Sequence, residues 1–548
     1  MYEQDNIAIQ NLQGQLICRQ VQRNAVAIAA LFEKNGVYEA PDDSIICCGR
    51  NEVERYFEAV FSSGQIPLTM SHTPAIRVNE DGMTARATWY ASTFDLLHRD
   101  TGCAMVQGSA RYDADLVKTT DGWKYAALQF YYLMTLEPAA YEADAVPLIQ
   151  RAAVTPIQSE QPSPEDFLTI SNRIGRWCQD RREGAETWFV QDGSAMLDYP
   201  SLLERPTVGA DVFTALAELK RREQAMLPYP MTVAMIASPW ITVSGDGCSA
   251  CGHWLLLSHN AQPDDNGAAI HPRLSQLMVE FVRGDMWKIR TLQEHTLLDL
   301  PANRLLDKES EDALFALPEH WLGAPLPANN HSLEAVSDTL KLEEYVTFWV
   351  SGLRYRSEAP FYYQRLDLDE PEQLYYRVGL RPAAKGLKEV TERIFAMTNK
   401  FATCQPKAPG NHIGTTPVIE VLPGERTAQA TWLDYGWTTA AEVFGITKPP
   451  YFANPAIGRY EMRFRKVNGT WKLHYFRWTP FFRMEKWHFN YGTTKGWSGT
   501  TSRRRFPLPL EHYIYENDEA LRGTPVVLEA PAIDCPYEKP WTGELDHL

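Results

Sequence analysis

The chain alternates between two hydrophobic periods. Over residues 7–33, Ile9, Leu12, Leu16, Val21, Ala25, Ile28, Ala29 and Phe32 fall near a helical stripe. A second helical stretch follows Gly49, where Val53, Phe57, Val60 and Phe61 share one face. The period then drops to two. Ile76 and Val78 flank Arg77, and Ala85, Ala87 and Trp89 alternate with Thr84, Arg86 and Thr88, so both runs read as strands. Asn79-Glu80-Asp81-Gly82 joins them as a hairpin turn. Arg111–Lys118 and Trp123–Tyr132 form a further strand pair around Thr120-Asp121-Gly122. Helices followed by a run of antiparallel strands predict an α+β class, with helices packed on one face of a sheet.

The pattern is written three times. Thr-Pro-Ala-Ile-Arg-Val (73–78) with Ala85 and Trp89 returns as Ser-Pro-Trp-Ile-Thr-Val (238–243) with Ala250 and Trp254. It returns again as Thr-Pro-Val-Ile-Glu-Val (416–421) with Ala428 and Trp432. A second anchor follows each copy: Trp123-Lys124, Trp287-Lys288 and Trp471-Lys472. A period of roughly 165 to 180 residues suits a whole domain and is too long for a solenoid repeat. The expected domains are 1–145, 160–305 and 333–490, with an extension over 491–548. Linkers are expected at Ser159–Glu165 and at Gly323–Ser332.

Composition narrows the function classes. The chain has 548 residues, of which 44% are hydrophobic, and a net charge of −16. That charge argues against nucleic-acid or anionic-membrane partners, which need basic patches. No apolar run is long enough to span a bilayer. The first residues lack the order of a signal peptide, and nine cysteines without even spacing suit a reducing compartment, so a cytoplasmic protein is expected. Cys248-Ser249-Ala250-Cys251 resembles half of a metal motif, but cysteines three apart on a strand face opposite ways, and no metal is expected.

Two helices, then His-Thr-Pro-x-Ile-x-Val, Ala-x-Ala-x-Trp and Asp-Gly-Trp-Lys together resemble the SnoaL-like branch of the nuclear-transport-factor-2-like superfamily. The nearest resemblance is to the bile-acid 7α-dehydratase type, whose strand carries His-x-Gly-His-Thr-Pro. The resemblance implies a cone-shaped sheet around N-terminal helices, a deep apolar pocket and chemistry that needs no cofactor. It places His412, in His412-Ile-Gly-Thr-Thr-Pro417, at the motif's first histidine, the catalytic base. Ungapped comparison puts Tyr355 at the family's catalytic Asp and Val350 at its Tyr, leaving Tyr355 as a proton donor.

Strand position adds Asp434 and Arg477 as acid and anion-holding groups, with Trp432, Trp478 and His72 as substrate-binding residues. The first copy has Thr69 at the first histidine position and His72 at the second, and the second copy has neither. Asp95, His98, Arg99 and Asp100 read as a polar loop. The expected function is a lyase, dehydratase or isomerase acting on a hydrophobic oxygenated ring compound in the third domain. The rival is a non-catalytic ligand-binding or scaffold protein. Either allows a homo-oligomer.

Overall fold

The computed structural model describes residues 2–40, 45–64, 67–99, 102–135, 139–142, 160–179, 185–225, 232–264, 267–299, 303–304, 333–355, 365–378, 382–403, 411–422, 426–439, 451–483 and 487–489. The expected extension and the linker at Gly323–Ser332 lie outside these residues.

The first unit contains α1 (Glu3–Val21), α2 (Ala25–Ala29), β1 (Phe32–Ala40), β2 (Ile45–Cys48) and α3 (Arg50–Ser62). Its long strands are β3 (Thr69–Val78), β4 (Thr84–Arg99), β5 (Gly102–Thr119) and β6 (Gly122–Thr135), followed by β7 (Ala139–Glu142). The second contains α4 (Pro164–Gln179), α5 (Ala185–Trp188), β8 (Met196–Asp198), β9 (Thr207–Val208) and α6 (Ala210–Ala225). These lead into β10 (Thr232–Val243), β11 (Ser249–Asp264), β12 (Gly267–Arg283), β13 (Trp287–Asp299) and β14 (Asn303–Arg304). The third has α7 (Leu333–Tyr355), β15 (Tyr375–Val378), β16 (Ala384–Lys385) and α8 (Gly386–Thr403). It continues with β17 (Asn411–Leu422), β18 (Thr427–Thr439), β19 (Tyr451–Val467), β20 (Thr470–Arg483) and β21 (Trp487–Phe489).

The three sheets share one strand order, β2-β1-β6-β5-β4-β3 in the first unit and its equivalent in the others. The α+β class holds, with one correction to an all-antiparallel sheet. A short strand between the helices pairs in parallel with the last long strand: β1 with β6, β8 with β13 and β15 with β20. Phe32, expected to end a helical stripe, instead starts β1. Among the described residues no helix is long and apolar enough to cross a membrane.

One aspartate anchors the first helix of each unit to its sheet. Asp5 accepts from Trp123 Nε1 (2.9 Å) and Lys118 Nζ (2.6 Å). Asp166 accepts from Trp287 Nε1 (3.0 Å) and Arg283. Asp338 accepts from Lys466 Nζ (2.8 Å), whose ammonium sits 5.8 Å from the Trp471 ring. Pairing Asp5 with Asp338 sets Leu16 and Val21 opposite Trp349 and Arg354. This register is one residue away from the ungapped choice of Val350 and Tyr355.

The units also interlock head to tail. Asn11 on α1 reaches β10, donating to the Ile241 carbonyl (2.9 Å) and accepting its amide (2.9 Å). Asn172 on α4 does the same to Ile419 on β17, at 2.8 and 2.9 Å. On α7, Thr347 Oγ1 donates to the Pro74 carbonyl of β3 (3.3 Å), and Glu344 pairs with Arg77 (3.2 Å). Each first helix therefore packs on the next unit's edge strand, and the third closes the ring on the first. Buried side chains run through these contacts: Tyr435 and Leu433 belong to the first unit's core, and Ile7 and Val336 to the second's.

The Pro of the repeat lies where the edge strands meet. Register breaks at Ser71/Pro74, Ala237/Trp240 and Thr415/Val418. Ser238 and Thr416, each preceding its Pro, have φ of 58° and 54°. A left-handed conformation is costly for such residues, especially before Pro, and persists when its surroundings hold it. Ser238 Oγ accepts the Ser71 amide (2.9 Å), and Thr416 Oγ1 accepts the Ile236 amide (2.9 Å), so each kink is tied to a neighbouring unit. Between the three edges lies an axial chamber of about 50 Å³.

Three interface histidines are buried and neutral. Burial lowers His72 and His259 to about 3, and burial with the nearby Arg19 charge lowers His253 to about 4. Because these folded values lie below the ordinary 6.5, their contribution is complete above pH 6.5 and is lost as pH falls towards 4 and 3. Buried Glu343, raised to about 7, loses stability with rising pH between 4.5 and 7 and so opposes them with a single proton. The melting midpoint is therefore expected to fall on acidification below pH 6.5. His259→Gln should flatten that slope by about 1.4 kcal/mol per pH unit, measured by calorimetry from pH 7 to 4.

Candidate functional site

Of the four residues expected in the third unit, the structure describes the side chains of Asp434 and Arg477. His412 sits on β17 opposite Gly436, and Tyr355 is the final residue of α7; their side chains lie outside the described residues. Asp434 is fully buried on the inner face of the sheet, and its Oδ2 accepts from Trp478 Nε1 at 2.7 Å. Arg477 precedes Trp478 on β20, so it faces the other side of the sheet. There its guanidinium lies 3.8 Å from Glu461. Asp434 and Arg477 thus cannot hold one ligand between them. Trp432 is fully buried in the core, its ring close enough to Gly414 that a Cβ there would lie 3.3 Å away. His72 is also placed differently from a cone-lining residue. It stands on the outer face of its sheet beside Ser92 (Nε2···Oγ 3.3 Å) and lines the axial chamber.

The second cone holds one carboxylate. Buried Glu294 accepts from the Ser201 amide (2.7 Å), Ser201 Oγ (2.5 Å) and Ser275 Oγ (2.7 Å). Such a set satisfies a buried anion and locks it in place. Cys248 is exposed at the β10–β11 turn, while Cys251 is buried within β11.

The first cone carries a polar pair that the polar-loop reading overlooked. Strand β4 continues through that segment to Arg99. Asp95 keeps the parity of Ala85, Ala87, Trp89 and Ala91 and so faces inward, while Phe94 faces out onto Tyr435 at 6.2 Å between ring centres. Extending the alternation six residues past Trp89 was the available signal. Asp95 is 6% exposed. Its Oδ2 accepts from the Tyr132 hydroxyl at 2.5 Å, and its Oδ1 from the Leu68 amide at 3.2 Å.

Aromatic rings line this cone. Phe130 bridges Tyr112 and Tyr132, with centres 4.8 and 5.2 Å apart, and Tyr38 packs on Tyr56 and Phe57 at 5.4 and 5.3 Å. Burial raises the Tyr112 phenol well above its ordinary value; the Asp95 charge adds to this, and hydrogen bonds with Thr69 and Gln20 oppose it. Tyr38 is raised by burial and by the neighbouring phenols. A short carboxylate–phenol bond beside aromatic rings offers a base and a hydrogen-bond donor side by side.

The SnoaL-like domain family matches residues 4–129 and 369–477. Among solved structures, a candidate aromatic ring hydroxylase from Novosphingobium aromaticivorans is 22% identical over 25% of this chain and 93% of its own, with a TM-score of 0.22. A candidate scytalone dehydratase from the same organism is 18% identical over 27% and 93% (TM-score 0.21). ActVI-ORFA from Streptomyces coelicolor is 17% identical over 23% and 94% (TM-score 0.20). No curated protein matches the chain.

Proposed function

We propose that the chain is a cofactor-independent lyase or isomerase for a hydrophobic, oxygenated ring compound, and that the reaction runs in the first unit with Asp95 as base and Tyr132 as proton donor. The observation that carries this reading is the 2.5 Å Asp95–Tyr132 hydrogen bond inside an aromatic cone. An incoming substrate oxygen takes over the Tyr132 hydroxyl, which frees Asp95 to remove a carbon-bound proton. In an elimination, the departing hydroxyl takes the Tyr132 proton and leaves as water. The phenolate is then reprotonated from Asp95, and the pair is restored. In an isomerisation, Asp95 returns the proton to a different carbon. Apolar walls strengthen both steps by excluding water; ketosteroid isomerase runs related chemistry with Asp and Tyr in an apolar site.

The third unit is the competing location, with His412 as base and Tyr355 as donor. A panel of hydroxylated and ketonic polycycles, assayed with the wild type, Asp95→Asn, Tyr132→Phe and His412→Ala, separates the two. Loss of turnover in the first two variants with activity kept in the third supports the first unit, and the reverse pattern refutes it.

A second reading, a ligand-binding or scaffold protein, draws on the other cones. Glu294 and Asp434 are both engaged by wall residues. A wild type that retains a stoichiometric apolar ligand and turns over nothing on the panel would favour it.

A further inference from the structure

The axial chamber holds a buried carboxyl, and among the described residues no cationic side chain lines its walls. Glu343, on α7, is 6% exposed, and its Oε2 accepts from Gln10 Nε2 of α1 at 3.1 Å. Among the described residues, no Lys or Arg lines the chamber. The nearest acidic neighbour in sequence, Glu344, has its own partner in Arg77 at 3.2 Å. Burying a carboxylate without a counter-charge is expensive, so such a group either stays protonated or recruits a cation.

Two further groups on the chamber wall lack a protein partner. Ser171 Oγ of α4 is one, and Nδ1 of buried His72 on β3 is the other. When His72 Nε2–H donates to Ser92 Oγ, Nδ1 presents a lone pair. The remaining polar wall groups are neutral: Gln13 of α1, Ser71 of β3, Ser238 of β10, and Thr415 and Thr416 of β17. One charge among neutral donors suits a singly charged ion. Among the described residues, no cluster of three or more His, Cys, Asp or Glu could hold a metal ion. The volume of about 50 Å³ admits a small ion with a water or two.

We propose that this chamber binds one small monovalent cation of the potassium or ammonium class, with Glu343 as counter-charge and Ser171 Oγ and His72 Nδ1 as neutral ligands. Because the chamber is walled by all three units, the bound ion ties the ring together. The site is separate from the Asp95 cone and does not depend on its chemistry.

Thermal melting of the full chain tests this at pH 8.5 and fixed ionic strength. Tetramethylammonium chloride, too bulky for the chamber, is replaced stepwise by potassium or ammonium chloride. The melting midpoint should rise saturably by a few degrees, and the ion that half-saturates at lower concentration is the preferred occupant. Glu343→Gln should abolish the rise. In the wild type the rise should also shrink at pH 5.5, where Glu343, whose burial lifts it to about 7, carries a proton. Equal midpoints in all three salts would overturn the proposal, as would an undiminished rise in Glu343→Gln. If that variant does not fold, a wild-type rise unchanged between pH 8.5 and 5.5 overturns it.

Discussion

Asp95→Asn is expected to lower kcat on a responsive ring substrate by about 10²–10⁴-fold, the usual contribution of a positioned general base. The amide retains the shape: its single oxygen accepts from the Leu68 amide and its NH2 donates to the Tyr132 oxygen, so the melting midpoint should change little. KM should also change little, because the ring system is held by aromatic walls that the substitution leaves intact. An equal fall in kcat and kcat/KM marks an interaction used in the transition state. Tyr132→Phe removes only the donor and should cost less for an isomerisation than for an elimination, since only the latter must protonate a departing hydroxyl. A collapse in stability with normal turnover per folded molecule would make Asp95 a structural group.

Gly14→Ala is expected to destabilise the ring, and more than the equivalent Gly175→Ala. A Cβ at Gly14 would lie 2.0 Å from the Pro239 carbonyl oxygen and 2.5 Å from its carbon, both backbone atoms of another unit. Neither can rotate away, so α1 must lift off β10 and stretch the paired Asn11–Ile241 hydrogen bonds. Overpacking typically costs 1–3 kcal/mol, and backbone displacement raises that. Ordinary helix propensity would favour Ala by about 1 kcal/mol. The net loss should therefore reach about 2 kcal/mol. At Gly175 the corresponding approach to the Pro417 oxygen is 2.7 Å, so Gly175→Ala should cost less. Denaturant midpoints should rank wild type, then Gly175→Ala, then Gly14→Ala. A stabilised Gly14→Ala would mean that the helix does not dock as described.

Much of the sheet was legible because period-two alternation depends on local sequence alone. Ala85, Ala87 and Trp89 gave β4, and the Asn79–Gly82 turn gave its hairpin. The short parallel strand was not legible. Phe32–Ala40 alternates weakly, with Glu33, Lys34, Asn35 and Gly36 together, and it becomes a strand only because β6 offers it an edge. The ring was hidden for a different reason. Asn11 and Gly14, like Asn172 and Gly175, look like ordinary polar and small positions on a helix; their partners lie some 230 to 250 residues away.

At the candidate site, sequence weighed histidines more heavily than parity. His72 matches a motif position, yet the bulge before Pro74 leaves it on the outer face beside Ser92. Arg477 and Asp434 were both plausible on strand position, and their phases on β20 and β18, with β19 between them, put them on opposite faces. Asp95 lay in a run of polar residues that mimics a loop, so its inward phase was passed over. Packing around Tyr132 and Tyr112, distant in sequence, is what turns it into a site.

Proton exchange at carbon tests the central claim most directly and needs no knowledge of the final product. A cyclic ketone that binds the protein is incubated in deuterium oxide, and deuterium entering the carbon next to the carbonyl is followed by NMR. The account predicts incorporation with the wild type and with His412→Ala, reduced at least about a hundredfold in Asp95→Asn. Incorporation that survives in Asp95→Asn and disappears in His412→Ala would contradict it.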